Sequence, residues 1–479
     1  MYNLWYGGIG DQMENQESLR HENISKLLVK YSVPAILAMM VTSLYNTVDR
    51  AFIGSMENVG ALAISGLGVT MPIMTIIMAF GMLIGIGTTT NISIKLGQGK
   101  KEEAEKLIGN AITLAIIVGL LISDFGLIFE NQILNMFGAS EGSLPYAKAY
   151  INIILLGSVF NLLGFVFNNA IRGDGNPKLS ATIMVVGCLT NIVLDALFIM
   201  VLNMGIQGAA IATITSQFIT SIWGLSYYLR GKSNLKFRKT SLKLDKSLVA
   251  SIFAIGSAPF AMQIAASCVQ IICNNSLKTY GGDLAIGAMA TINSVIMMVG
   301  MPIVGISQGA QPIIGFNYGA KKYDRAHKAL KICATAATIG LSIWWLLVQL
   351  VPGPIVSMFN SDAELVSISV DGIRKYLSMM PLIGVSMIGS NYFQAIGKAK
   401  HAMVLSLLRQ VILLVPMMLI LPKLLGLNGV WFAQPIADVI SLTVTTILLV
   451  IEVKSHKVET NDEVEVNDEI EAEIISLDL

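Results

Sequence analysis

Charge is scarce in this chain. Asp, Glu, Lys and Arg make up 13% of its 479 residues, where a soluble domain carries about 25%. With 54% hydrophobic residues as well, a chain this long cannot keep its whole surface in water, and lipid has to be part of its solvent. Cysteine is scarce too. Cys188, Cys268, Cys273 and Cys333 are the four; all lie inside apolar stretches and share no recognisable spacing. That excludes a disulfide framework or a thiolate metal site and leaves core packing. The four histidines, His21, His327, His401 and His456, fall in polar connecting segments and form no catalytic pattern. A Walker A pattern is missing, which excludes an ATP-driven pump for this chain alone. The glycines of GMLIGIG (81–87) are embedded in an apolar run, so they read as helix packing and not as a phosphate loop. The N-terminal stretch MYNLWYGGIGDQMENQESLRHEN lacks the apolar run of a leader, so the first hydrophobic segment is expected to be a retained span.

What the chain has in abundance is apolar stretches long enough to cross a bilayer, each about 20 residues or more. We read twelve of them. The fold expected is an all-α polytopic membrane protein with twelve transmembrane helices in two pseudo-symmetric six-helix lobes. An N-terminal segment (1–28) precedes the first lobe (29–230), a basic linker (231–248) leads to the second lobe (249–451), and an acidic tail (452–479) follows, expected to be disordered. Nine acids and no Lys or Arg lie in Val458–Leu479, so the rest of the chain is net basic. Its basic residues alternate from loop to loop. One set holds Lys95, Lys100, Lys101 and Lys106, then Arg172 and Lys178, then RGKSNLKFRKTSLKLDK, AKKYDRAHKALK, GKAKH and KSHK. The other set is nearly free of Lys and Arg. By the positive-inside rule the basic set is cytoplasmic, both termini included, which puts a multi-pass protein in the cell membrane.

The chain also repeats itself. YNTVDRAFIG from Tyr45 resembles QIICNNSLKTYG from Gln270, GALAISGLGV from Gly60 resembles GDLAIGAMAT from Gly282, GNPKLSA from Gly175 resembles GKAKHAM from Gly397, and GIQGAAIA from Gly205 resembles GLNGVWFA from Gly426. Two parallel six-span halves with a site between them are the mark of a secondary transporter. A channel or membrane receptor, the reading from another class, has less reason to duplicate in this way.

An ionisable residue at membrane depth costs about 2.5–3.5 kcal/mol on insertion scales and needs a reason. Asp49, Asp124, Asp195, Arg409 and Asp438 are the candidates. Asp195 lies roughly 9 Å from the outer end of span five, and Asn191 shares its helix face. Thr213 on span six, Asp49 on span one and Tyr150 on span four reach the same depth. Two carboxylates, an amide, a hydroxyl and a phenol suit a hard cation such as sodium. Two close carboxylates in a dry site also repel one another, so the pair is equally suited to a proton. The residues leave that choice open. The repeat places Asn274 opposite Asp49 and Met417 opposite Asp195, so only the first half carries the acids. Asp124 reads as interfacial, and Arg409 and Asp438 as a structural pair. The methionines of spans two and eight, Met78, Met289 and Met297 among them, suit an adaptable cavity wall; Gln263 and Gln270 on span seven would add polar groups to it.

Pro34 with VDRAFIG, RGDGNPK, Asn191 with Asp195, GIQGAAIAT, GISQGAQPIIGFNYGAKK and QAIGKAKHAMVLSLLRQ together resemble the multidrug and toxic compound extrusion (MATE) family over residues 24 to 452. The likeness is greatest to its DinF-like and MepA-like branch. The resemblance implies two six-helix lobes around a central cavity, and export of cationic or amphipathic drugs in exchange for protons or sodium. It implies a coupling cluster at Asp49, Tyr150, Asn168, Asn191, Asp195 and Thr213, and a bending proline at Pro34. In the NorM-like branch acids on spans seven and ten also couple; span seven here offers Gln263 and Gln270 and no acid, which argues against coupling through the second lobe. The resemblance implies no enzyme activity and no cofactor beyond the coupling ion. The partners expected are small organic cations or amphipathic drugs and the bilayer, without nucleic acid, for a monomer. A lipid or polysaccharide-precursor flippase of the same superfamily is the nearest rival, but it would need a strongly basic cavity, and the buried charges here are mainly acids.

Overall fold

The computed structural model describes residues 17–54, 60–230, 233–358 and 362–477, and among them there is helix and no strand. Twelve rods cross the molecule. In the first lobe they are α1 (Ile24–Gly54), α2 (Gly60–Gly97), α3 (Lys101–Ile128), α4 (Leu144–Leu156 and Ser158–Gly173), α5 (Pro177–Asp195 and a π-helical turn, Ala196–Val201) and α6 (Gly205–Leu229). In the second they are α7 (Lys246–Gly282), α8 (Leu284–Gly319), α9 (Tyr323–Leu350) and α10 (Ala363–Tyr376 and Met380–Ala395). They are followed by α11 (Ala399–Leu407, Leu408–Leu414 and Val415–Leu425) and α12 (Leu427–Leu477). Nine of these are individually long and apolar enough to span a membrane, and α4, bent by 55° at Gly157, makes a tenth. Helices of this kind keep every backbone group satisfied in lipid by bonds within the segment. Large apolar side chains accordingly face outward, as Leu120, Leu121, Phe125 and Ile128 do on α3 and Ile339, Ile343, Leu346 and Leu350 on α9.

The repeat read in the sequence is also a repeat of backbone shape. Gly175 and Gly397 both have positive φ (95° and 79°), and so do Gly205 and Gly426 (60° and 59°). Gly99 and Lys321, related by the same offset, have φ of 75° and 58° although one is not glycine. A lysine held there despite the Cβ penalty means that the turn after the second helix of each lobe is imposed by the lobe around it. The break of α4 at Gly157 recurs in α10 at Leu377–Met379.

One expectation needs correction. Among the cysteines, Cys188, Cys273 and Cys333 are buried, but Cys268 is exposed on α7.

All polar loops of the basic set lie at one end of the rods, here the basic end. The linker between the lobes is tied down there. The Asp174 carboxylate, after α4, accepts hydrogen bonds at Oδ2 from Tyr227 (2.7 Å), the Ser233 hydroxyl (2.7 Å) and the Asn234 N–H (3.2 Å). Glu105 on α3 accepts from the Lys236 N–H at 3.1 Å and pairs with Arg238 at 3.3 Å. Burial pushes the Asp174 carboxyl up to about 6, while the bonds from Ser233, Tyr227 and Asn234 hold it down. Bonds to a charged acceptor contribute about 1.5–3 kcal/mol each. Asp174→Ala is therefore expected to free the linker, seen as at least about tenfold faster tryptic cleavage at Lys236 and Arg238 in the folded protein. An unchanged cleavage rate would mean that α3 alone holds the linker.

The lobes meet only in part. Among the described residues, α1 and α2 of the first lobe carry most of the packing against α7 and α8 of the second. The contacts concentrate toward the basic end, where helix backbones touch. A Cβ on Gly256 of α7 would fall 1.8 Å from the Leu83 carbonyl oxygen of α2, and one on Gly87 would fall 2.2 Å from that of Ile252. Nearer the end, Gly97 and Gly319 approach Phe316 and Ile94 in the same reciprocal way, while Gly305 and Gly309 lie against Ile36 and Ser32 of α1. Small residues permit such approach where lipid gives helices no hydrophobic reason to associate. Phe80 and Phe260, with ring centroids 5.1 Å apart, meet near the middle of α2. The seam is thus shut by backbone contact at the basic end.

Candidate functional site

The polar cluster forms where α1, α4, α5 and α6 converge in the first lobe. The α-helical part of α5 ends at Asp195, and the π-helical turn follows at once; such turns often mark functional positions. Asp195 is fully buried, and Asp49, Tyr150, Asn191 and Thr213 are buried beside it. The Asp49 and Asp195 carboxyl groups come within hydrogen-bonding reach of one another. With the Asn191 amide turned to satisfy both neighbours, its NH2 donates to Asp195 Oδ2 at 3.1 Å and its oxygen accepts from the Thr213 N–H at 3.1 Å. The Tyr150 phenol meets the Thr213 hydroxyl, which also donates to the Ala209 carbonyl of its own helix at 3.0 Å. Asp195 Oδ1 is buried and takes no hydrogen bond among the described residues.

The result is an oxygen-rich nest built around two acids. Tyr45, which is not among the residues expected there, also belongs to it: it lies near Asp49, Tyr150, Asp195 and Cys188. Its place four residues before Asp49 puts the two on one helix face, and that spacing is the signal in the sequence that points to it. One turn before Tyr45, Thr42 reaches Cys188 of α5 at 3.6 Å.

Asn168 does not join the cluster. Its amide donates to the Ser180 carbonyl at 2.8 Å, and the Ser180 hydroxyl returns a bond to its carbonyl at 2.9 Å. Ser180 precedes Asp195 by fifteen positions, roughly 22 Å along α5, so Asn168 staples α4 to α5 near the basic end. Pro34 lies within α1, which runs unbroken past it. Asp438 has partners of its own: Gln434 donates to it at 2.9 Å and Arg409 lies 3.8 Å away. The residues expected along a cavity divide. Met78 and Met297 are exposed (43% and 54%), Gln263 is half-buried, and Gln270 is exposed with its amide donated to Asn274 at 3.0 Å. Met289 is only 3% exposed and packs in the second lobe's core; it follows Ala285 and Ala288 and precedes Ile292 on the inward stripe of α8.

The MatE family model matches residues 34–197 and again 259–420, one match in each lobe. Over 418 residues the chain is 27% identical to the multidrug export protein MepA of Staphylococcus haemolyticus (strain JCSC1435), covering 87% of this chain and 91% of that one. Identity to the MepA protein of Staphylococcus aureus (strain MSSA476) is 25% over 415 residues, again 87% of this chain and 91% of that one. A crystal structure of MATE in complex with MaL6 has the same fold, with a TM-score of 0.86 at 22% identity over 92% of this chain and 98% of that one. So does an outward-facing multidrug resistance MATE family transporter of the MOP superfamily, at a TM-score of 0.86 and 23% identity over the same shares. With both lobes matched and the twelve-helix fold in place, the chain belongs to the multidrug and toxic compound extrusion (MATE) family of multi-pass membrane transporters.

Proposed function

We propose that this protein exports cationic or amphipathic small molecules across the cell membrane in exchange for protons or sodium ions, by alternating access between its lobes. The basic end is the cytoplasmic one under this reading, so a molecule shut there faces outward. The observation that carries the proposal is the meeting of two buried carboxylates, Asp49 and Asp195, in one lobe of a duplicated transporter fold. The MepA relatives, named as multidrug exporters, point the same way.

The chemistry follows from the cluster. A coupling ion is a substrate here and has to favour one conformation over another, since a ligand with equal affinity for both shifts nothing. Two adjacent carboxylates are costly to keep charged out of water. A proton or a sodium ion neutralises them and lets α1 pack closely on α5. Losing the ion restores charge that needs water or a cationic drug. The Thr213 hydroxyl and the Tyr150 phenol bring neutral oxygens close to the acids, as a hard cation requires, and the Asn191 amide holds Asp195 in place by donating to it. An orphaned Asp195 oxygen fits either ion.

Efflux of a fluorescent organic cation from proteoliposomes, with the sodium and proton gradients collapsed separately, tests the proposal. Collapse of one gradient is expected to stop uphill efflux and collapse of the other to leave it. Uphill efflux that persists with both collapsed would overturn ion-coupled antiport.

A further inference from the structure

Several side-chain bonds that cross the seam at the basic end join neutral groups. Gln311 donates to the Thr90 hydroxyl at 2.8 Å, and the Ser251 hydroxyl donates to the Asn91 side-chain oxygen at 2.6 Å. One crossing is different. Arg172, next to the last residue of α4, is 4% exposed. One of its terminal nitrogens donates to Gln308 Oε1 on α8, and the other donates to Asn169 Oδ1 one turn back on α4. Its Nε finds no acceptor among the described residues, and no carboxylate there forms an ion pair with it. The Gln308 amide nitrogen continues to Met39 Sδ on α1 at 3.7 Å. A single guanidinium thereby links three helices from two lobes.

Buried charges in proteins are normally paired with an opposite charge, because a neutral amide oxygen replaces only part of the lost hydration. A permanently charged guanidinium cannot escape that cost by losing its proton. The cost exists only while the seam is shut: when α8 moves away from α4, Gln308 leaves and water returns to the guanidinium. Closure therefore gains one charge-assisted bond across the seam, to Gln308, and loses hydration at the same group, while the bond to Asn169 lies within α4 and is made in either state. The geometry points to Arg172 as the latch of the basic-end gate, with Gln308 as its neutral catch, balanced so that the gate closes and still reopens. Arg172 acts by positioning the lobes and does not touch the coupling ion. The neutrality of Gln308 is essential to the balance. A carboxylate there would form a buried pair with Arg172 and hold the gate shut; a methyl group would strand the charge and favour opening.

The inference rests on alternating access, and its test reads the gate itself. Ser93 is buried in the seam, packed against Gly315. In protein carrying Ser93→Cys and Cys268→Ser, held in lipid nanodiscs, the rate of maleimide labelling reports opening. Gln308→Glu is expected to slow labelling and Gln308→Ala to speed it, each by about fivefold or more, the scale of typical coupling energies. In an Arg172→Met background the Glu substitution has lost its partner, and it should then speed labelling. Gln308→Asn, one methylene shorter and still neutral, should lie between Gln308 and Ala and serves if the Ala protein folds poorly. A role confined to packing would move Glu and Ala in the same direction. That result, or a divergence that survives in Arg172→Met, overturns the latch. No transported compound enters the measurement, so the expected divergence together with absent dye efflux would count against the export reading and leave the latch standing.

Discussion

Asp195→Asn is expected to abolish ion-driven export while leaving a folded, inserted protein. Asn keeps the volume of the side chain and can still bond Asn191, but it carries no charge in any state of the cycle. The coupling ion then has nothing to neutralise, and the two conformations lose the difference that the ion exploits. Coupling free energies of ~1–3 kcal/mol correspond to about 5–150-fold, so uphill efflux should fall by at least about tenfold at matched membrane levels. Asp49→Asn should act alike. The double substitution should be little worse than either single one if both carboxylates serve one ion. Asp438→Asn should do less, because Asp438 already has Gln434 and Arg409 as partners. Near-normal gradient-driven efflux in Asp195→Asn would move the coupling site out of the first lobe.

Gly256→Val is expected to do the reverse of a lock: it should prop the basic end open. The added side chain would have to pass within 1.8 Å of a backbone oxygen of the opposite lobe. A side-chain neighbour could rotate aside, but a helix backbone cannot. Overpacking costs about 1–3 kcal/mol even where some relaxation is available. Applied to the shut state alone, that shifts the balance by about 5–150-fold toward a molecule open at the basic end. A Ser93→Cys reporter should become reactive to an impermeant maleimide in inside-out vesicles and remain unreactive in intact cells, which also tests which end is cytoplasmic. Export should fall with it. Gly340→Ala on α9, where a Cβ meets nothing within 4 Å, is the matched control and should label and transport as the parent does. Normal transport and no labelling in Gly256→Val would mean that α2 and α7 can move apart by the width of a side chain without opening the seam.

Much of the architecture is legible in the chain. Apolar stretches and alternating loop charge point to twelve spans, and the offset repeat points to two lobes, because a bilayer allows helices few alternatives. Asn191 and Asp195 pair on paper because helix periodicity alone puts them on one face, and the same rule extends to Tyr45 and Asp49. Asn168 falls outside the cluster because depth along the helix outweighs likeness of motif. Met289 falls outside a cavity wall because the inward stripe of α8 outweighs residue type.

The seam is a different matter. Gly256 looks like any other glycine of an apolar stretch until a carbonyl from another helix stands where its Cβ would be. Arg172 and Gln308 are 136 residues apart, and neither carries a sign of the other. By itself the sequence determined what must be buried in lipid, how often, and which acids share a lobe, since these depend on composition and on the helical repeat. Only the tertiary structure decided that Asp49 meets Asp195 and that the lobes close at the basic end, since both depend on which faces of separate helices come together.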